Sequence, residues 1–284
     1  MTFVTRFAPS PTGPLHLGHA FSALTAHDAA RAAGGAFHLR LDDLDTGRSR
    51  AHWADQISTD LRWLGLTWDG PVWRQSDRLS RYRAALQELW NRGLLYPCSC
   101  SRADIRAAVS APQEGAPLHG PDGLIYPGTC RPATPPTGPL PDSALRLDMA
   151  RALATLDAPL RFVETGRGPD GQTGRQCPTD LRTRVGDVVL ARPGLGASYH
   201  LSIVCDDADQ RISHVIRGRD LFEVTQIHVL LQRLLGFPVP VYNHHRLIRD
   251  ATGKRLAKRD EARAIATCRA QGASASDIRA RLGL

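Results

Sequence analysis

The chain has 284 residues, 42% of them hydrophobic, with 36 Lys plus Arg against 28 Asp plus Glu, a formal net charge of +8. That length and apolar share suit one large α/β domain or two modest ones, while no apolar run reaches the roughly eighteen residues that cross a membrane. The basic balance favours a polyanionic partner such as nucleic acid, or reflects Arg-rich coding alone; no secretory pattern opens the chain, so cytoplasm is the expected compartment.

Residues 3–8 alternate as a short buried strand, and Pro9-Ser10-Pro11-Thr12-Gly13-Pro14 turns the chain. Helical periodicity runs over 15–33, where Gly34-Gly35 stops it, and Ala36–Leu41 reads as the next strand. This strand–loop–helix–strand unit predicts a parallel nucleotide-binding sheet. Helices are predicted over 53–64 and 79–91. Residues 110–141 hold nine of the chain's 20 prolines and five of its 25 glycines, which excludes a helix or central strand there. Strands are predicted at 185–190, 201–205 and 213–217, then a helix over 222–235 ended by Gly236 and Pro238. Residues 260–284 offer at most two short helices, the second capped at Ser276.

Two motifs far apart in the chain carry chemistry. His16-Leu17-Gly18-His19 opens a predicted helix, where two imidazoles three residues apart can face one ligand. The helix N-terminus adds amides and a positive dipole end suited to phosphates. Gly18 leaves room for a flat base. Gly253-Lys254-Arg255-Leu256-Ala257-Lys258-Arg259 is a basic turn. Read singly, the first is also a plain helix start and the second a solvated loop. Of six cysteines, Cys98, Cys100 and Cys130 flank the Pro-rich stretch. With a fourth donor they make a tetrahedral metal set. Without a metal they are reduced thiols. Cys177, Cys205 and Cys268 read as structural.

Together the two motifs resemble the HIGH and KMSKS motifs of class I aminoacyl-tRNA synthetases. The segment Arg6-Phe7-Ala8-Pro9-Ser10-Pro11-Thr12-Gly13 resembles the glutamate branch of that class. By this resemblance His16, Gly18, His19, Arg255 and Lys258 bind ATP, with His16, His19 and Lys258 catalytic. Arg6, Ala8, Ser10, Asp42, Tyr199 and Arg217 bind glutamate. Asp42 stands where the family's amino-group-binding Glu stands, and Ala257 where it carries Ser. Asp206-Asp207 after a strand also fits. The family's Cys-x-Cys…Tyr-x-x-x-Cys pattern implies one structural zinc held by Cys98, Cys100, Tyr126 and Cys130, with His119 as the conventional alternative fourth ligand. A nucleotidyltransferase with a similar His-x-Gly-His motif leaves the rest of the chain unexplained.

The short stretch after the second motif has no room for an anticodon-reading domain. In this the chain resembles the glutamyl-queuosine tRNA(Asp) synthetase family, catalytic-domain paralogues of glutamyl-tRNA synthetase. That resemblance implies ATP- and Mg2+-dependent glutamyl-adenylate formation without tRNA. Glutamate then passes to the queuosine base in the anticodon of tRNA(Asp). Alternatives are a truncated synthetase charging a tRNA 3′ end and a catalytically silent tRNA-binding paralogue. The expected architecture is a Rossmann-type parallel sheet in halves 1–97 and 185–240, a zinc-bearing insertion at 98–184, and a loop with a short helical tail at 241–284. A monomer is expected. Arg62, Arg74, Arg182 and Arg184 are unranked candidates for tRNA contact.

Overall fold

The computed structural model describes every residue except 1, 110–118, 179, 195 and 249–263. In chain order its elements are β1 (Val4–Phe7), α1 (Leu17–Ala32), β2 (Ala36–Leu41), α2 (Ala51–Trp63), β3 (Trp73–Arg74), α3 (Leu79–Asn91), β4 (Leu95–Pro97) and α4 (Arg102–Val109). Then come β5 (His119–Gly120), β6 (Gly123–Leu124), β7 (Leu145–Leu147), α5 (Met149–Ala154), β8 (Phe162–Glu164), β9 (Gly174–Gln176), α6 (Leu181–Arg184) and β10 (Val189–Ala191). The chain closes with α7 (Tyr199–Asp209), β11 (His214–Gly218), α8 (Thr225–Leu234), β12 (Val241–His245), α9 (Ile265–Ala270) and α10 (Ala275–Leu282).

β1, β2 and β3 pair in parallel, with Val4 opposite Ala36 and Arg40 opposite Trp73. β11, β12 and β8 form a second parallel set, edged by antiparallel β9. The sets meet where Val4 N donates to Ser213 Oγ (2.8 Å) and Ser213 N donates to Val4 O (3.0 Å). β10, β7 and β4 make a separate antiparallel sheet, and β5–β6 a small hairpin. This is the expected α/β fold around a parallel sheet.

Two apolar cores flank it. One packs Leu24 and Ala20 of α1, Phe37 and Leu39 of β2 and Leu61 of α2 with Ile265 and Ile278 of the C-terminal helices. Each of those isoleucines is fully buried, which contributes roughly 1.5–3 kcal/mol. The tail is therefore an integral part of the first core. The other core joins α3, β7, α7 and α8 through Leu89, Leu147, Leu201 and Leu230.

Three local expectations need correction. Residues 201–205 lie in α7, not a strand: Ser198 caps that helix, and His200 through Asp207 are all buried. A short apolar run buried all round carries no period to distinguish helix from strand. The strand expected at 185–190 is confined to β10, because Gly186 takes φ +70° and α6 precedes it. α10 is capped by Ser274 rather than Ser276, with Asp277 completing a capping box. β12 is a strand the sequence reading left unassigned. Among the described residues of 110–141 there is no helix, as the prolines dictate.

Candidate active site

The loop after β1 is pinned from both sides. Asp42 N donates to Pro9 O (3.0 Å) and Arg50 N to Pro11 O (3.0 Å). It delivers His16 as the N-cap of α1. His16 Nδ1 accepts from Gly18 N (3.1 Å), and His19 Nδ1 accepts from His16 N (3.1 Å). The two rings stack with centroids 3.7 Å apart. With both Nδ1 atoms accepting, each ring carries its proton on Nε2. Gly18 is demanded first by this cap: a Cβ there would sit 3.0 Å from His16 Cε1.

A cavity of about 370 Å3 opens over the carboxyl ends of β1, β2 and β11. Its wall includes Arg6, Ala8, Ser10, Asp42, Tyr199 and Arg217, together with His16, Gly18 and His19. The structure thus gathers all nine of these residues from four separate stretches of chain. Arg255 and Lys258 lie outside the described residues. The segment holding them has anchored flanks: Ile248 lines the cavity, and Ala264 bridges His16 while Ile265 N donates to Leu15 O (2.8 Å).

The buried charges beneath the cavity are ordered. Arg6 grips Asp207 through Nε (3.0 Å) and Nη2 (3.2 Å), and Arg40 Nη1 adds a third contact at 2.7 Å. Burial drives the Asp207 carboxyl upward, but Arg6 and Arg40 outweigh it and hold it below the usual range. Asp206 takes Arg78 Nε (2.7 Å), Gln75 Nε2 (2.9 Å) and Tyr82 OH (2.9 Å). Both aspartates project from within α7, not from beyond a strand. Asp42 accepts Arg40 Nε (2.9 Å), yet burial prevails and pushes it up to about 6. Tyr199 stays 38% exposed, edge-on to His228.

Sequence reading missed other cavity residues. Ser22 Oγ meets His245 Nε2 at 2.7 Å, and both line the wall with Asp220 and Ile216. Ser22 lies one helical turn beyond His19, a spacing that could have found it. His245 had no comparable signal.

The cysteine cluster forms a second centre. The Cys98, Cys100 and Cys130 sulfurs all lie within 4.8 Å of one another. Tyr126 OH lies 3.5 Å from Cys98 Sγ and 3.4 Å from Cys100 Sγ, and accepts Cys130 N at 2.8 Å. A tetrahedron with arms of about 2.3 Å has edges near 3.8 Å, so these donors fit a soft tetrahedral ion. The Tyr126 hydroxyl draws the Cys130 thiol below the ordinary range, toward the thiolate form that binds metal, while at Cys100 the same hydroxyl is outweighed by burial and the neighbouring sulfurs, which raise it. His119 is exposed in β5 and is not in this group. Cys205 and Cys268 are buried as expected, whereas Cys177 is exposed and packs into no core. Arg62, Arg74, Arg182 and Arg184 are all exposed.

Parallel strands, a helix-capping His pair and an arginine-walled cavity define a class I synthetase catalytic domain. The family profile described as tRNA synthetases class I (E and Q), catalytic domain, matches residues 2–118 and 177–281. Within that class the chain belongs to the glutamyl-Q tRNA(Asp) synthetase family. It is 61% identical to a Glutamyl-Q tRNA(Asp) synthetase of Rhodobacter capsulatus, over 99% of this chain and 100% of that one. A Symbiobacterium thermophilum protein of the same name is 42% identical over 96% of this chain and 83% of its own. The structure superposes on a glutamate tRNA ligase from Elizabethkingia meningosepticum in complex with its amino acid, at TM-score 0.71 and 29% identity. That match covers 92% of this chain and 52% of the ligase, so the chain spans about half its length. No helix among the described residues is long and apolar enough to cross a membrane.

Proposed function

We infer that this protein activates L-glutamate with ATP to glutamyl-adenylate, without tRNA, and transfers the glutamyl group to the queuosine base in the anticodon of tRNA(Asp). The observation that carries the reading is Arg217. It is a buried guanidinium with no carboxylate partner among the described residues, in the wall of the cavity that Asp42 also lines. An uncompensated buried cation in one cavity wall with a carboxylate suits a zwitterion with a side-chain carboxylate. Asp42 then takes the ammonium group, Arg6, Ala8 and Ser10 shape the floor, and Tyr199 packs along the carbon chain.

In activation a carboxylate oxygen of glutamate attacks the α-phosphorus and pyrophosphate leaves. The imidazole Nε2–H donors of His16 and His19 and the N-terminus of α1 receive phosphate charge. Lys258, with Arg255, neutralises the departing pyrophosphate. Mg2+ accompanies ATP and shields its phosphates. In transfer a queuosine hydroxyl attacks the activated carbonyl carbon, the ester forms and AMP leaves. No covalent enzyme intermediate is needed, so positioning and charge do the work. Exposed arginines, Arg62, Arg74, Arg182 and Arg184 among them, would meet tRNA phosphate with salt-dependent affinity.

One structural zinc is proposed at Cys98, Cys100, Tyr126 and Cys130, supported by the tight donor cluster; Cys98→Ser should lower zinc content well below one per chain. The division into 1–97, 98–184, 185–240 and 241–284 is likewise a proposal, with β8 (162–164) and β12 (241–245) pairing into the sheet of the second half across its boundaries. It is supported by the profile leaving 119–176 unmatched between its two segments.

The deciding experiment supplies labelled glutamate and ATP with tRNA(Asp) carrying or lacking queuosine, and with tRNA(Glu). Label confined to the anticodon fragment of queuosine-bearing tRNA(Asp) is expected. Label at the 3′ end of tRNA(Glu) would make this a short charging enzyme. No label on either, with no glutamate-dependent ATP–pyrophosphate exchange, would make it a silent paralogue.

A further inference from the structure

Arg217 spends its donors on neutral acceptors. Nε donates to His244 Nε2 (3.1 Å), Nη1 to His228 Nδ1 (3.2 Å), and Nη2 to Thr225 Oγ1 (2.8 Å) and Leu221 O (3.2 Å). A guanidinium has five N–H groups, so one Nη1 hydrogen remains for the cavity. Each imidazole must present a lone pair to Arg217, which fixes its tautomer. Burial and the Arg217 charge hold His228 well below the ordinary histidine range, so it stays neutral.

The proton assignments then run outward in two directions. His244 carries its proton on Nδ1 and donates to Glu164 Oε2 (2.5 Å). Glu164 is itself fixed by Gly166 N (2.7 Å) and His244 N (2.9 Å) on Oε1. On the other side His228 carries its proton on Nε2, donating to His200 Nδ1 (3.2 Å). His200 in turn donates from Nε2 to Asp122 Oδ1 (3.0 Å). His228 and His200 are buried, whereas the Asp122 side chain is 45% exposed. Asp122 sits in the turn between β5 and β6, in the stretch between Cys100 and Tyr126. That hairpin is closely seated: a Cβ on Gly120 would lie 2.2 Å from Arg184 O.

We propose that Asp122, His200 and His228 form a positioning relay through which the cysteine-flanked hairpin sets Arg217 for the substrate carboxylate. The proposal rests on the reading of Arg217 as the glutamate receptor. Asp122 favours the Nε2–H tautomer of His200, His200 favours the Nε2–H tautomer of His228, and His228 thereby offers Nδ1 to Arg217. Losing an outer member lets His228 turn a donor toward a donor, and the guanidinium shifts from its aim. None of the three residues lines the cavity.

The test is ATP–pyrophosphate exchange with glutamate and ATP varied separately, on the full chain. His228→Ala should raise the KM for glutamate about 10- to 100-fold, the range for a lost bond to a charged group. The KM for ATP should stay within about twofold, since the ATP end makes no contact with the relay. Asp122→Asn should raise the glutamate KM about three- to tenfold in the parent and add nothing in the His228→Ala background, because it acts only through that imidazole. His228→Asn, which keeps an acceptor near the Nδ1 position, should recover most of the loss. The relay is overturned if Asp122→Asn leaves the glutamate KM unchanged, if the two effects multiply, or if the KM for ATP moves in step. Should His228→Ala fail to fold, the exposed Asp122 variant and His228→Asn decide alone. A parent without glutamate-dependent exchange refutes the functional reading and this inference with it; an active parent with unmoved variants refutes the relay only.

Discussion

Arg6 and Arg217 open onto the same cavity from neighbouring strands, and they are held in opposite ways. Arg6 is locked to Asp207 by two hydrogen bonds, inside a network in which Arg6, Arg40 and Arg78 face Asp42, Asp206 and Asp207. Arg217 hydrogen-bonds only imidazole, hydroxyl and carbonyl groups and lies over the Tyr242 ring at 5.3 Å, with Glu164 and Asp122 one and two imidazoles away. The first arrangement is closed electrostatically and holds the fold. The second leaves a positive potential that an incoming carboxylate completes. Removing a counter-charge on the Arg6 side should therefore damage stability, and changes on the Arg217 side should damage binding.

The largest expected effect tests the closed side. Asp207→Ala strands Arg6 and Arg40 without a shared counter-charge and should cost about 3–5 kcal/mol of unfolding free energy. Urea denaturation would measure it, and an unshifted midpoint would erase the distinction between the two sides. Arg217→Gln should cost about 3 kcal/mol of transition-state binding, roughly 150-fold in kcat/KM for glutamate. Its unfolding free energy should fall by no more than about 1–2 kcal/mol, because the partners left behind are neutral. Equal losses in both quantities would show Arg217 to be structural.

A pH series sharpens the comparison at Asp42, which lines the same cavity. Asp42 is pushed up from 3.8 to about 6 by burial, with Arg40 opposing. It must be ionised to hold an ammonium group, so the glutamate KM should rise as pH falls through 6, about tenfold per unit below it. The stability term has the opposite sign. A raised carboxyl favours folding below its unfolded value near 4, and that contribution is lost as pH rises through 6. Asp42→Asn should flatten the KM profile; a profile that keeps its bend would assign the titration elsewhere. The smallest effect belongs to Ser198, whose Oγ accepts Leu201 N at the start of the helix carrying both Asp207 and His200. Ser198→Ala should cost about 1 kcal/mol by thermal unfolding.

The motif segments were legible because each is contiguous. The helix started by His16, the strand Ala36–Leu41 and the glycine stop at 34–35 follow from local pattern, and the described residues singled out for ATP and glutamate line one cavity. α7 was not legible as a helix. Its buried face extends all round, so Leu201 to Cys205 shows neither alternation nor a helical stripe. That misreading hid the reason for Asp206 and Asp207, which anchor arginines from three other elements.

By itself, the sequence determined the type of chemistry, through residue types at short spacing: His pair, glycine, basic loop and clustered thiols. Only the tertiary structure decided which charges are balanced and which are left open. Asp122, Glu164, His200, His228 and His244 stand far apart in the chain, and no periodicity relates them. Their hydrogen bonds exist because α7, α8, β8, β12 and the β5–β6 turn come together beside β11, and a proton's position on an imidazole is set by the neighbour that packing brings to it.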